Sequence, residues 1–566
     1  MKKILLLLLC LNCLFSFGQT TTAVVDGNWE DVGTWDNGVP QTGYDVVIPT
    51  QMEVTMNSGT TITIASLTIG GTNARLKQKT NTALTITGDL SITRSQDGYF
   101  FDGGSDETGV LILQGNLIND KRMRITKQLP AENQWHLFSF GFRASRHSEI
   151  FSSTTFATNV SNKYSFSTYD GSQAIGSKYV YPFDTSSTFA SSDADATTDG
   201  KGYSLKTTTG SANVVWRARF HTDNVAIDIS DAGDQFNLLG NPYPAYLHAN
   251  DAADATNNIL RINGANGSQV LDEDTIWLWD GTNLAWVTKN LGDAAFRINP
   301  MQGFFVKAKS GGGISQSFSF TESMQSNTKT DGFFKSSNNR FEVDLSVAIG
   351  KKKTSTSVRY INNTTTDFDN GYDSSTFGGY TSSFEVYTTL LGGDVSKKLA
   401  IQSLPKSDYE NMVVPVGLSV SPNSEVTFSA KVSNIPAGYK VFLEDRLNNT
   451  FTRLDEAGSE YIATVTEAKT EGRFYLHTRS SALSVESEFL NSVSIYKSDA
   501  ATLRIVGLSQ GKSNVKLFNV LGKQVMNASF NAQGVKEIAL PKLATGVYIV
   551  QLETETGKLN KKIVLE

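Results

Sequence analysis

The chain has 566 residues, a formal net charge of −6, 10% aromatic residues and two cysteines. So mild an acidic balance supplies neither the basic footprint of a nucleic-acid binder nor a polybasic membrane patch. The length allows about three to five domains. Frequent Gly, Thr, Ser and Asn turns, with little helical periodicity, predict an all-β chain of several modules.

Lys2 and Lys3 precede an unbroken apolar run from Ile4 to Leu9, which extends loosely to Phe17 and meets Gly18-Gln19. A basic start, a short apolar core and a small residue before a polar stretch predict a signal peptide over residues 1–18 that engages the inner-membrane export machinery. The run is short of the roughly 20 residues a spanning helix needs, and no later segment approaches that length. Cys10 and Cys13 both lie inside it, and neither follows the small residues of a lipidation site. Cleavage after Gly18 would leave a mature chain with no disulfide, thiol nucleophile or Cys-ligated metal.

Residues 19–128 carry a weak repeat. Ile62-Thr63-Ile64 and Leu67-Thr68-Ile69 are followed by Leu84-Thr85-Ile86-Thr87-Gly88-Asp89-Leu90 and by Val110-Leu111-Ile112-Leu113-Gln114-Gly115-Asn116-Leu117. Apolar residues alternate with Thr, and repeats of 20 to 50 residues mark solenoids, which predicts a short parallel β-helix of three to four rungs. The Gly-Asp and Gly-Asn pairs would turn its corners by adopting left-handed backbone. Ahead of it, Gly27-Asn28-Trp29 and Gly33-Thr34-Trp35 resemble the N-terminal cap of β-helical surface proteins of the bacterial phylum Bacteroidota. Trp29 and Trp35 would then cover the open end of the coil.

Residues 129–330 form a β-rich module with strands predicted at Trp135-His136-Leu137, Phe236-Asn237-Leu238-Leu239, Ile276-Trp277-Leu278-Trp279 and Gly303-Phe304-Phe305-Val306. This order of motifs is similar to an accessory module of proteins secreted by the type IX system. Residues 331–480 predict a β-sandwich module, because Phe341-Glu342-Val343-Asp344-Leu345 and Val441-Phe442-Leu443-Glu444-Asp445 alternate apolar with acidic residues, as strands with one wet face do. Residues 481–491 read as a linker.

Residues 492–566 carry short strands around Val493–Tyr496, Val515–Val520, Gly522–Val525, Ile538–Leu540, Val547–Leu552 and Lys561–Leu565. About seven strands in so short a segment predict a small Ig-like sandwich. Lys and Arg outnumber Asp and Glu here by 10 to 5. The string from Val515 through Leu543-Ala544-Thr545-Gly546 to Glu566 resembles the type A C-terminal sorting domain of type IX secretion. The resemblance implies engagement of the outer-membrane translocon, removal of the domain, and release or surface attachment of the rest.

Candidates for chemistry are few. Gly507-Leu508-Ser509-Gln510-Gly511 has the spacing of a nucleophile elbow, but that motif needs a helix next and the residues following Ser509 read as a strand. None of His136, His147, His221, His248 and His477 is spaced from another as in a zinc motif. Asp367, Asp369 and Asp373 place carboxylates at spacings that suit Ca²⁺, or else form an Asp- and Gly-rich turn. Asp102, Asp106 and Glu107 are either a solvated loop or the acidic cluster of a polysaccharide-cleaving β-helix. Trp277, Trp279 and Trp286, with Tyr243 and Tyr246, are either core or stacking platforms for sugars. The expectation is a non-enzymatic, adhesin-like, extracellular or cell-surface protein. The alternatives are a carbohydrate-binding surface protein and a β-helical polysaccharide-degrading enzyme.

Overall fold

The computed structural model describes residues 19–104, 108–129, 133–210, 213–281, 283–311, 316–329, 340–379, 384–392, 394, 396–480, 493–499, 502–554 and 557–565. The predicted signal peptide and the 481–491 linker lie outside them. The chain divides into two compact units. The first holds residues up to Lys406 together with 414–434 and 460–472; the second holds 407–413, 435–459 and 473–566.

The first unit opens with a parallel β-helix. Its strands are β1 (Thr20–Thr22), β2 (Gly27–Asn28), β3 (Asp45–Ile48), β4 (Glu53–Met56), β5 (Thr61–Ile64), β6 (Ser66–Ile69), β7 (Arg75–Lys79), β8 (Ala83–Ile86), β9 (Leu90–Ile92), β10 (Gln96–Asp102), β11 (Val110–Leu113), β12 (Leu117–Ile118) and β13 (Arg122–Gln128). They stack as three sheets, β1-β3-β6-β9-β12, β2-β4-β7-β10-β13 and β5-β8-β11. Three full rungs thus lie between two partial ones. The repeat read from the sequence is the true register: Leu67, Leu90 and Leu117 are neighbours on one sheet. Asn116 donates from its side-chain amide to Asp89 at 3.0 Å.

The reason predicted for the corner glycines is corrected. Gly88 and Gly115 are not in left-handed backbone; that geometry falls instead on Gln51, Asn73, Asp97 and Asn119, with φ of 69°, 63°, 57° and 59°. Gly88 and Gly115 are needed because successive rungs touch there. A Cβ on Gly115 would overlap the Gly88 carbonyl, and one on Gly88 would lie 2.8 Å from the Ala65 oxygen. Backbone has little room to yield, so Gly115→Ala should destabilise the coil by ~3 kcal/mol, the upper part of the usual overpacking range. A lower urea midpoint with faster hydrogen exchange over β8 to β12 would show it; an unchanged midpoint would refute the contact.

Both coil ends are closed. Trp29 and Trp35 are 1% and 4% exposed, meet edge to face at 5.3 Å, and belong to the same apolar cluster as Val46 and Val54. At the other end β13 pairs antiparallel with the strand Asn213–Ala218 of the next block. Trp216 and Phe138, Phe140 and Phe142 continue the coil's core. Ala83 and Val110 on a second sheet join the core of Tyr243, Leu247 and Phe304. The predicted boundary at 128/129 therefore crosses continuous apolar cores.

Strands form at all four places predicted in the second block, His136–Phe138, Phe236–Gly240, Thr275–Asp280 and Gly303–Lys307, with Trp135 just outside the first. In the third block seven strands of the first unit follow one another in the order Val414–Ser419, Glu385–Thr389, Lys398–Pro405, Lys352–Ile361, Phe341–Ile349, Ser424–Ser433, Glu460–Val465 among the described residues, and the short Ser374–Ser375 also pairs with Lys398–Pro405. The block's supposed wet face is partly dry: Glu342 is 8% exposed and pairs with Arg340 and Arg359, both at 3.0 Å, while Asp293 takes Arg359 at 2.8 Å. Buried charges are tolerated when paired and hydrogen-bonded, so acidic alternation was no guide to solvent.

The second unit holds the remaining strands of that block, Tyr439–Asp445, Thr450–Arg453 and Phe474–Ser480. The predicted 331–480 module is thus divided between the units, because its strands interleave along the chain. The C-terminal segment forms five strands rather than seven short ones: Ser494–Asp499, Thr502–Asn519, Gln524–Ala539, Gly546–Thr554 and Gly557–Leu565. Irregularities after Val506, Leu508 and Leu517 break the longest one. Its first part pairs with Ser494–Asp499 and its last part with Gly546–Thr554. Ile495, Leu503, Val515, Leu517, Val550 and Leu552 from both parts share one core.

Candidate functional site

The hairpin Thr275–Asp280 and Ala285–Asn290 sets Trp279 opposite Trp286, and Trp277 lies opposite Phe305 of the next strand. Adjacent strands bring such side chains together, but burial then separates the three tryptophans. Trp277 is fully buried between Phe236 and Phe305, and its indole N–H donates to the Ser375 carbonyl at 2.9 Å. It presents no face to a ligand. Tyr243 and Tyr246, 0% and 6% exposed, are likewise core; the Tyr243 hydroxyl donates to the carbonyls of Asp223 and Phe320.

Trp279 and Trp286 are partly exposed, with ring centroids 5.2 Å apart. The Trp279 indole donates to the Trp135 carbonyl at 3.0 Å. Trp135 is also partly exposed, meets Tyr181 edge to face at 6.1 Å, and has the Lys206 ammonium 5.6 Å from its ring. Two partly exposed ring pairs, Trp135–Tyr181 beside Lys206 and Trp279–Trp286, are thus linked through the Trp135 carbonyl, and Trp286 also rests on the buried Phe377 at 3.9 Å. Trp135 and Tyr181 were not among the sequence candidates. Trp135 reads there as part of a strand, and its partners in space lie far along the chain.

The segment with Asp367, Asp369 and Asp373 is a strap rather than a cup. Asp373 is fully buried and accepts the backbone N–H groups of Ser403 and Asp369, at 2.5 and 2.7 Å. Asp369 accepts the Thr365 N–H at 2.5 Å, and Asp367 is exposed. Around them Asn370 accepts the Asp274 N–H at 2.7 Å, and the Gly371 carbonyl accepts the Gly292 N–H at 2.8 Å, with Gly371 at φ 85°. The Asp369 and Asp373 carboxylates are spent on backbone donors of the loop itself and of Ser403, while Asn370 and Gly371 fasten the loop to the aromatic hairpin's block. Among the described residues no group of three or more His, Cys, Asp or Glu side chains is placed to hold a metal ion.

Burial pushes the Asp373 carboxyl up to about 7, against the lowering effect of its two N–H donors. Between the unfolded value of about 4 and 7 the folded state holds a proton that the unfolded state has lost, so stability from this group falls as pH rises through that window. The urea midpoint of the wild type should drop relative to Asp373→Asn between those limits and run parallel above them. Parallel curves throughout would show that Asp373 is ionised in the folded chain.

The remaining candidates are dispersed. Asp102 pairs with Lys77 at 3.1 Å, and Asp106 and Glu107 lie outside the described residues. Ser509 falls within the strand Thr502–Asn519, not at a strand-to-helix turn, so the elbow geometry is absent. His147 meets Asp195 at 2.7 Å, and His477, 2% exposed, meets Glu444 at 2.9 Å. Burial and the nearby Arg297 lower the pKa of His248. No helix among the described residues is long and apolar enough to cross a membrane.

In the C-terminal sheet Tyr548, Val550 and Leu552 face inward together, at 7%, 0% and 0% exposure. The turn at Asn519–Lys523 leaves Val520 and Leu521 exposed by 71% and 89%. A family model described as a domain of unknown function (DUF8693) matches residues 20–477. One described as a secretion system C-terminal sorting domain matches residues 498–566. No curated protein matches the chain. The second match supports a type A sorting domain of the type IX system, indicates export to the cell surface or the medium, and implies interaction with the type IX machinery.

Proposed function

As the chain belongs to the family described as a domain of unknown function (DUF8693) and carries a type IX sorting domain, we propose that it is a non-enzymatic, adhesin-like protein that works by contact outside the cell. Residues 1–18 act as a signal peptide for the inner-membrane export machinery. Residues 492–566 then engage the outer-membrane translocon and are removed. The rest is released or held on the surface.

One observation carries the contact role: the partly exposed pairs Trp135–Tyr181 and Trp279–Trp286, linked by the Trp279 hydrogen bond to the Trp135 carbonyl, on a chain with a sorting domain for export. Amphipathic rings held half out of the core suit a partner with alternating apolar and hydroxyl faces. A surface glycan is that partner on the second reading, which refines the first. Cleavage of polysaccharide has less support, since Asp102 is engaged by Lys77.

The full chain should bind members of a plant and algal glycan array, with affinity falling about tenfold, or ~1.4 kcal/mol, in Trp135→Ala/Trp279→Ala. No hit on the array would remove the glycan reading. Bacteria lacking the protein should attach less to polysaccharide-coated surfaces; equal attachment would remove the adhesin reading.

A further inference from the structure

The sheet β2-β4-β7-β10-β13 continues into the strand Asn213–Ala218. Alternate residues of a strand leave on opposite faces. Leu76, Tyr99, Met123 and Trp216 fill the interior, so Lys77, Phe100, Arg124 and Arg217 stand outward. The register places them side by side: Lys77 opposite Phe100, Phe100 opposite Arg124, Arg124 opposite Arg217. At about 4.8 Å per strand the row spans about 14 Å.

Phe100 is only partly buried. The Lys77 ammonium stands 5.4 Å and the Arg124 guanidinium carbon 5.0 Å from its ring centre. Cation–π attraction at such distances holds the two long side chains at defined positions on an otherwise flat sheet. Among the described residues Arg75, Lys77, Lys79, Arg124 and Arg217 line this face against Glu53, Asp97 and Asp102, a positive surplus on a chain whose net charge is −6. Among the described residues Lys79 and Arg124 have no carboxylate within 4 Å, and Arg124 is exposed. The open face has an edge: Arg122, the next outward residue of β13, is buried by Glu149 and Asp193.

We propose that this row is a second binding surface, for a linear acidic polysaccharide lying across the strands. Acid groups spaced along such a chain would meet Lys77 and Arg124, whose fork suits a carboxylate, while a sugar ring rests on Phe100. A surplus of fixed cations on an acidic protein selects against neutral glycans and draws polyanions from a distance. The surface is separate from the Trp135 and Trp279 rings, so either can fail alone.

The test uses the full chain with alginate as the polyuronate probe, and neutral dextran and single-stranded DNA as comparators, at low and physiological salt. Alginate should bind and dextran should not. Lys77→Ala/Arg124→Ala should weaken alginate binding about tenfold and flatten its salt dependence, because two screened contacts are gone. Phe100→Ala should weaken it with the salt dependence kept. A control, Lys351→Ala/Lys353→Ala at the exposed start of the strand Lys352–Ile361, should leave it unchanged. The proposal is overturned if the wild type ignores alginate, if the control weakens binding as much as the paired variant, or if DNA is held as tightly. A near-ultraviolet circular dichroism spectrum unchanged in the variants assigns any loss to the surface rather than to unfolding.

Discussion

Trp277→Ala should cost the fold about 3–5 kcal/mol, the range for deleting a buried Trp or Phe side chain. The indole fills the space between Phe236 and Phe305, and its removal also leaves the Ser375 carbonyl without its 2.9 Å donor. An orphaned, partly buried acceptor adds to the cavity term. The Ser375 carbonyl belongs to the strap that includes Gly371 and Asp373, so the same change should loosen that loop. Trp279→Ala, two residues away on the same strand face, should cost about 1 kcal/mol, as expected of a half-exposed position. Urea unfolding of both variants measures the difference. Equal losses would mean that the tryptophans form one undivided core and that no ring is left for a ligand.

The second large effect concerns delivery. Removing residues 484–566 should stop the protein at the periplasm, with little or none in the medium or on the surface. The deleted segment spans the whole match to the sorting domain. Cell fractionation with an antibody to the coil reads the result. Normal appearance outside the cell would mean that another part of the chain carries the export signal. A subtler variant, Val550→Asp, would bury a charge in the core shared by Leu517 and Leu552 and should give the same block by unfolding the domain.

The coil was legible because its signal is local. Alternating Thr and aliphatic residues, repeated at the distance of one rung, set both the strand period and the stacking of Leu67, Leu90 and Leu117. What glycine does at Gly115 was not legible, since the obstacle is the backbone of the rung below. The C-terminal hairpin was also plain, with Gly522 at its turn; that its first strand runs on from Thr502 to Asn519 through its irregularities was not, because these look like turns in sequence. The functional residues were hardest. Trp277 and Trp279 are alike in sequence and differ only through what Phe305, Ser375 and Trp135 place beside them. The Asp367–Asp373 spacing suited a cation until Ser403, far along the chain, claimed Asp373. Charge pairing with Arg359 on the neighbouring strand leaves no periodic trace, so Glu342 appeared solvent-facing.

The pairing of β13 with the strand Asn213–Ala218 also dictates an order of events during synthesis. Until Asn213 has emerged, the last rung shows a row of unsatisfied amides and carbonyls, a template on which a second nascent copy could add a strand. Closing that edge by a segment so much later in the chain makes the interval a window for misassembly in transit. Chaperones that shield strand edges should therefore matter more to this protein's yield than to its stability once it is complete.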